Sequence, residues 1–298
     1  MLWNEHIHTI TCLFLTMPGI VGNVLIFGKY VYDVLVVTEK KPLDLILVHL
    51  AFSNIVIICS IVVSDAAIKL YFKIFLGDVG CKVVVFLGRM ARGLSICTTC
   101  LLSMVQAVTV NPRITLWRKL KPQTAGQVLP YLLLFWLLNS LVSSNLLFYI
   151  TAISTVNRSG VDRYAGYCNM LPSRLTVRWL FLSLMALRDV VFQSLMGWSS
   201  ASMALHLYQH HKRVSYLHSS KYVKNSSPEI RATLSTLILM TCFLVFYWVD
   251  FIFSFYTGST LTQDSIILII KSFLNFGYAV FSPFVLITRD IARYWSAH

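Results

Sequence analysis

Seven stretches of this chain, at approximately 10–31, 43–64, 79–110, 126–153, 177–208, 231–256 and 264–287, are each long and mostly apolar. A helix rises about 1.5 Å per residue, so roughly 20 apolar residues cross the hydrocarbon of a bilayer. Each stretch meets that length, and the third and fifth exceed it enough to tilt or protrude. A soluble fold would need a polar coat for so many apolar helices. Only 12% of the residues are charged and mean hydropathy is +0.70, whereas soluble domains carry about 25% charged residues. The chain therefore reads as an all-α membrane protein, one seven-helix domain over 1–298, with no repeats or low-complexity tracts. Its first apolar run is too long for the core of a cleavable leader, which is about 7–15 residues, and reads as a span.

The formal charge of +13 would fit nucleic acid if the cations formed one face. They lie instead between apolar runs, which fits loops at a membrane surface and no nucleic-acid partner. Taking alternate loops, one side holds fourteen cations: Lys29, Lys40, Lys41, Arg113, Arg118, Lys119, Lys121, Lys212, Arg213, Lys221, Lys224, Arg231, Arg289 and Arg293. The other side holds seven: Lys69, Lys73, Lys82, Arg158, Arg163, Arg174 and Arg178. The richer side is expected inside, which puts the N-terminus outside and the C-terminus inside, the topology of a heptahelical receptor. Asn157-Arg158-Ser159 is then an outside glycosylation sequon, while Asn225-Ser226-Ser227 faces inward and is unusable. Cys81 and Cys168 are the two of seven cysteines placed at an outer helix end or in an outer loop. A Cys81–Cys168 disulfide is expected there, two free surface thiols being the alternative.

Several charges fall inside the spans. Arg89 and Arg92 share a face of the third span, about 12 and 16 Å from Cys81 along the helix. An arginine costs roughly 2.5–3.5 kcal/mol at a span centre, so both should face the bundle interior. Their candidate partners are Asp189 in the fifth span, Asp250 in the sixth and Lys271 in the seventh. Two readings stand. These five residues wall a polar ligand cavity, with Asp250 and Lys271 nearest its mouth, or they form interhelical ion pairs such as Arg92–Asp189 that only hold the bundle together. Phe86, Phe181, Phe251, Phe253, Phe255 and Phe276 lie around them. An apolar pocket with a few polar groups suits a small organic ligand, and core packing is the alternative for each ring.

Cys97-x-x-Cys100 has metal or redox spacing, yet it lies about 24 Å along the helix from Cys81, with no second Cys or His pair beside it. It reads as a pair of packing thiols. The chain shows no spaced carboxylate pair, no His-Glu-x-x-His, no glycine-rich phosphate loop and no nucleophile–base pair. No enzyme, cofactor or metal is expected.

The segments "ARGLSICTTCLLSMVQAVTVNPR" (91–113), "LRDVVFQSLMGWSSASM" (187–203), "HHKRVSYLHSS" (210–220), "SPEIRAT" (227–233) and "SPFVLITRD" (282–290), with "LDLILVHLAFSNIVI" (43–57), carry a resemblance. The chain resembles vomeronasal type 1 receptors, pheromone receptors of the G-protein-coupled superfamily. That resemblance implies a rhodopsin-like bundle in the plasma membrane, a small pheromone-like or odorant ligand, and an inhibitory-class heterotrimeric G protein. The inner end of the third span reads Asn111-Pro112-Arg113 and opens a basic loop suited to lipid headgroups and to that G protein. Ser282-Pro283-Phe284 stands where the superfamily has an Asn-Pro motif, and Asp162-Arg163-Tyr164 sits in an outer loop, where it reads as a coincidence. Pro228-Glu229 should open the sixth span. The rival readings are a bitter-taste receptor and a transporter, which would usually show internal repeats with broken helices.

Overall fold

The computed structural model of the chain describes residues 2–36, 41–69, 77–110, 122, 124–152, 162–165, 168–170, 175–217, 228–260, 270, 273–274 and 277–288. Its helices are α1 (Leu2–Val36), α2 (Pro42–Lys69), α3 (Asp78–Val110), α4 (Ala125–Ser143), α5 (Leu175–Leu217), α6 (Pro228–Thr260) and α7 (Gly277–Thr288). Helix starts follow local chemistry. Pro42 and Pro228 occupy first positions, where a missing N–H costs nothing, and Asp44 and Asp78 sit in first turns that favour negative charge. The expected start at Pro228 is thus observed. The 43 residues of α5 run for about 65 Å, well beyond a bilayer core.

The fourth span departs from expectation. A continuous helix over 126–153 is not formed. α4 stops at Ser143, one further turn runs over Leu146–Tyr149, and the chain is a strand from Ile150. The cause lies at Ser144, whose hydroxyl competes for the backbone. Ser144 Oγ donates to the Leu141 carbonyl at 2.8 Å, and the Ser144 N–H reaches the same oxygen at 3.3 Å.

The fold is also not wholly helical. β1 (Ile150–Ala152), β2 (Asp162–Ala165) and β3 (Cys168–Met170) form an antiparallel sheet in the order β1-β3-β2. Ile150 pairs with Met170 and Ala152 with Cys168, while the β2–β3 register slips between Arg163 and Ala165. The expected disulfide is present: Cys81 in the first turn of α3 is bonded to Cys168 in β3, with 5.6 Å between their Cα atoms. Cys81, Val85, Leu146, Ile150 and Cys168 bury one another around it. Asp162-Arg163-Tyr164 forms most of β2, near this end of α3 and far from Val110.

The bundle has its polarity inverted relative to a soluble protein. Along α4, Leu129, Leu133, Leu137 and Leu141 project outward at 51–69% exposure, while Val128, Leu132, Phe135 and Asn139 face in. Apolar stripes of that size are untenable in water and ordinary in lipid. Among the described residues, five helices are long and apolar enough to cross a membrane: Thr16–Val36, Pro42–Ser64, Asp78–Thr109, Ala125–Tyr149 and Trp179–Gln209. The two expected segments nearest the C-terminus contribute shorter apolar stretches, Leu237–Phe253 and Gly277–Thr288. α3 is the hub, packing against α2, α4, α5, α6 and β1. α1 approaches α7 so closely that a Cβ on Gly19 would lie 3.0 Å from the Val280 Cα.

Candidate functional site

α3 carries the polar chemistry of the interior, and successive turns of it bind different helices. Nearest the disulfide end, half-buried Arg89 reaches Asn145 Oδ1 at 3.5 Å and Met185 Sδ at 3.2 Å. Neither contact supplies an anion to its guanidinium.

One turn further, Arg92 forms an ion pair with Asp250 on α6, the two side chains being 12% and 1% exposed. The Arg92 guanidinium also sits over the Tyr247 ring at 5.5 Å from its centroid, a cation–π contact. Tyr247 stacks on Phe243 at 4.2 Å, and Phe243 meets Tyr278 of α7 edge-on at 4.4 Å. Tyr278 in turn shares a 3.5 Å hydroxyl contact with Thr99 of α3. Arg92 is therefore the polar end of an aromatic wall joining α3, α6 and α7.

The anticipated Arg92–Asp189 pair is not formed. Asp189 is held by its own neighbour: Arg188 Nε and one terminal nitrogen donate to Asp189 Oδ1 at 2.8 and 2.6 Å. The other terminal nitrogen of Arg188 donates to Asn139 Oδ1 on α4 at 2.8 Å. Asn139 Nδ2 then donates to the Phe135 carbonyl at 2.8 Å and to Cys97 Sγ at 3.6 Å. This cluster fits because α3 has Gly93 beneath it: a Cβ there would coincide with Asn139 Oδ1 and the Arg188 guanidinium. Asp189 is consequently neutralised inside α5, leaving Asp250 as the acid for Arg92. Asp250, expected near a mouth, is 1% exposed and held by Arg92.

Two further networks were not anticipated. Asn54 of α2 donates to Ser282 Oγ of α7 at 2.9 Å and to Asn23 Oδ1 of α1 at 3.3 Å, and accepts from Ser95 of α3 at 3.2 Å. Asn23 completes the tie by donating to the Ala279 carbonyl at 2.8 Å. Ser282 thus serves as the α7 member of a network of neutral side chains. Second, Trp136 Nε1 donates to His49 Nε2 at 2.9 Å, and His49 Nδ1 lies 2.9 Å from Thr98 Oγ1. An indole N–H can only donate, so Nε2 is the acceptor and Nδ1 holds the proton that it gives to Thr98. The signal for both was present: lone Asn and His residues in apolar runs must be turned inward.

Cys97 and Cys100 are buried free thiols, and among the described residues no group of His, Cys, Asp and Glu is arranged to hold a metal ion. Phe86, Phe181, Phe251 and Phe253 are half-buried, and Phe86 packs on the main core. Asn157, Asn111, Pro112, Arg113, Lys271 and the side chains of Phe255 and Phe276 lie outside the described residues.

A lipid-facing apolar exterior around an interior of ion pairs and amide networks, tethered at one end by a disulfide, defines a multi-pass membrane protein. Comparison with known proteins makes that class specific. The model of the vomeronasal organ pheromone receptor family matches residues 8–296. Human vomeronasal type-1 receptor 4 is 30% identical over 279 residues, covering 94% of this chain and 93% of its own length. Human vomeronasal type-1 receptor 2 is 31% identical over 94% of this chain and 71% of its own, and mouse vomeronasal type-1 receptor 40 is 29% identical over 94% and 90%. The chain belongs to the vomeronasal organ pheromone receptor family, a family of receptors rather than enzymes.

Proposed function

We propose that the chain is a G-protein-coupled chemosensory receptor of the plasma membrane: one domain of seven spans, with its N-terminus outside and its C-terminus inside. A small pheromone-like molecule enters from the disulfide end and binds among Arg89, Arg92 and Asp250, with Asp189 below them and Lys271 contributed by the seventh span. The observation that carries this reading is that Arg89, Arg92, Asp189 and Asp250 all lie within a bundle whose exterior is apolar, Arg92 and Asp250 paired across two helices. Charges cost too much in a membrane to be kept without a use or a partner, and among the described residues Arg89 meets an amide oxygen and a thioether.

The mechanism follows from the Arg92–Asp250 bridge. It ties α3 to α6 in one arrangement, and a ligand that competes for either charge loosens it. The equilibrium then shifts by the difference in ligand affinity between the two arrangements and no more. Movement of α3 against α6 reaches the opposite end of the bundle, where Asn111, Pro112 and Arg113 engage a heterotrimeric G protein, of the inhibitory class as the family implies. Asn157 carries glycan outside, and the basic loops lie against lipid headgroups. The test is a cell assay that reads G-protein activation against a broad panel of volatiles and steroids, with surface expression measured in parallel. Ligand-dependent coupling is expected. Normal surface display with no coupling to any compound, and no thermal shift of the purified protein, would overturn the reading.

A further inference from the structure

α5 carries buried polar atoms that no other described residue satisfies. Gln193 is 1% exposed, and neither its Nε2 nor its Oε1 has a hydrogen-bond partner among the described residues. One helical turn back on the same face is Asp189. Its Oδ1 takes both N–H bonds from Arg188, whereas Oδ2 has no partner among the described residues. On the adjacent α6, the Tyr247 phenol lies within electrostatic reach of Asp189. Natural interiors satisfy more than about 90% of their buried polar groups, because an unpaired one destabilises the fold. A leucine at 193 would avoid that penalty. Polar groups left unpaired in the resting protein are what a recognition site uses to reject molecules lacking the matching group.

The chemistry of the two side chains selects that group. Asp189 Oδ2 only accepts, while Gln193 both donates and accepts. A hydroxyl can donate to Oδ2 and accept from Nε2 at once. An ether or ketone has no proton to give, and a carboxylate would meet Oδ2 with like charge. An ammonium gains little, because Arg188 already neutralises Asp189. We propose that Asp189 and Gln193 form the subsite that recognises the hydroxyl group of a neutral alcohol ligand, Asp189 setting the preference for an alcohol over its ether and Gln193 the preference for either oxygen compound over a hydrocarbon. This rests on the receptor reading above and names its ligand class.

The test uses the full-length receptor, purified for thermal melting and expressed in cells for G-protein activation. The probes are matched sets of terpene and steroid alcohols, each with its methyl ether and parent hydrocarbon. At least one alcohol is expected to raise the melting midpoint and activate, its ether being about 10- to 100-fold weaker for one lost charge-assisted hydrogen bond. Gln193→Leu should bring ether and parent hydrocarbon within about 3-fold of each other while the alcohol stays stronger than its ether. Without ligand it should melt at or above the parent protein, since it removes an unpaired amide. Equal potency of alcohol and ether, an ether preference over hydrocarbon that survives Gln193→Leu, or a Gln193→Leu protein that melts lower or fails to fold would overturn the subsite and leave the receptor reading standing. If no compound of these sets acts on the parent protein in either assay, the alcohol subsite is overturned, and the receptor reading falls with it when the broader panel above is also silent on surface-displayed protein.

Discussion

Gly93→Ala is a sharp test of how this bundle is built. In an unobstructed helix the change would be favourable by about 1 kcal/mol. Here the new Cβ would coincide with Asn139 Oδ1 and the Arg188 guanidinium, and it would lie 2.7 Å from Asn139 Cγ. To reach even a tight carbon contact of 3.4 Å, Asn139 must retreat about 0.7 Å. Its bonds to the Phe135 carbonyl and Cys97 Sγ oppose that retreat. The 2.8 Å Arg188–Asn139 bond is therefore lost. A hydrogen bond to a charged group is worth about 1.5–3 kcal/mol, and overpacking adds about 1–3 kcal/mol. Less the helix gain, the net cost is about 2–5 kcal/mol, a large share of the 5–15 kcal/mol typical of a folded protein. Surface expression in cells and the melting midpoint of purified protein should both fall. The same change in an Asn139→Ala background should cost about half as much, because one of the two obstructing groups is gone. Parent-like expression and melting of Gly93→Ala, or strictly additive losses in the double variant, would refute the reasoning.

Two other outcomes follow from the same contacts. Arg92→Met and Asp250→Leu should each cost about 3–5 kcal/mol by stranding a buried charge, while the double variant should recover most surface expression. If the pair is also the ligand-competed tie between α3 and α6, that expressed double variant will respond to an activating compound with reduced potency, measured by dose–response. Cys81→Ser and Cys168→Ser should each cost about 4 kcal/mol, because the bond closes a loop of 87 residues. Their combination should melt no lower than either alone, and reductant should lower the midpoint of the parent but not of the variants.

Much of the architecture was legible because the membrane applies one simple criterion. Five of the seven apolar runs coincide with helices long and apolar enough to cross a membrane, Pro228 opened α6, and Cys81 found Cys168. Cys97 and Cys100 are buried in the main core, on the side of α3 away from Ser95, Thr98 and Thr99. Where the fourth span failed as a single helix, the cause was local but fine-grained: hydropathy over 126–153 is continuous, while the Ser144 hydroxyl takes the Leu141 carbonyl where α4 ends and the chain pairs with β3 from Ile150.

The partners of the buried charges were another matter. Hydropathy and charge decide that Arg89, Arg92, Asp189 and Asp250 must avoid lipid, since that cost belongs to each residue alone. They decide nothing about who meets whom, which depends on the rotation and crossing of neighbouring helices. Asp189 was within helical reach of Arg188 one residue away, yet that contact forms only because Asn139 of α4 and the bare backbone at Gly93 anchor the guanidinium. With Asp189 so occupied, Arg92 turned to Asp250. From its sequence alone the chain determined a membrane bundle and the charges that had to lie within it. The tertiary structure alone decided their pairing, because pairing is a property of the space between helices.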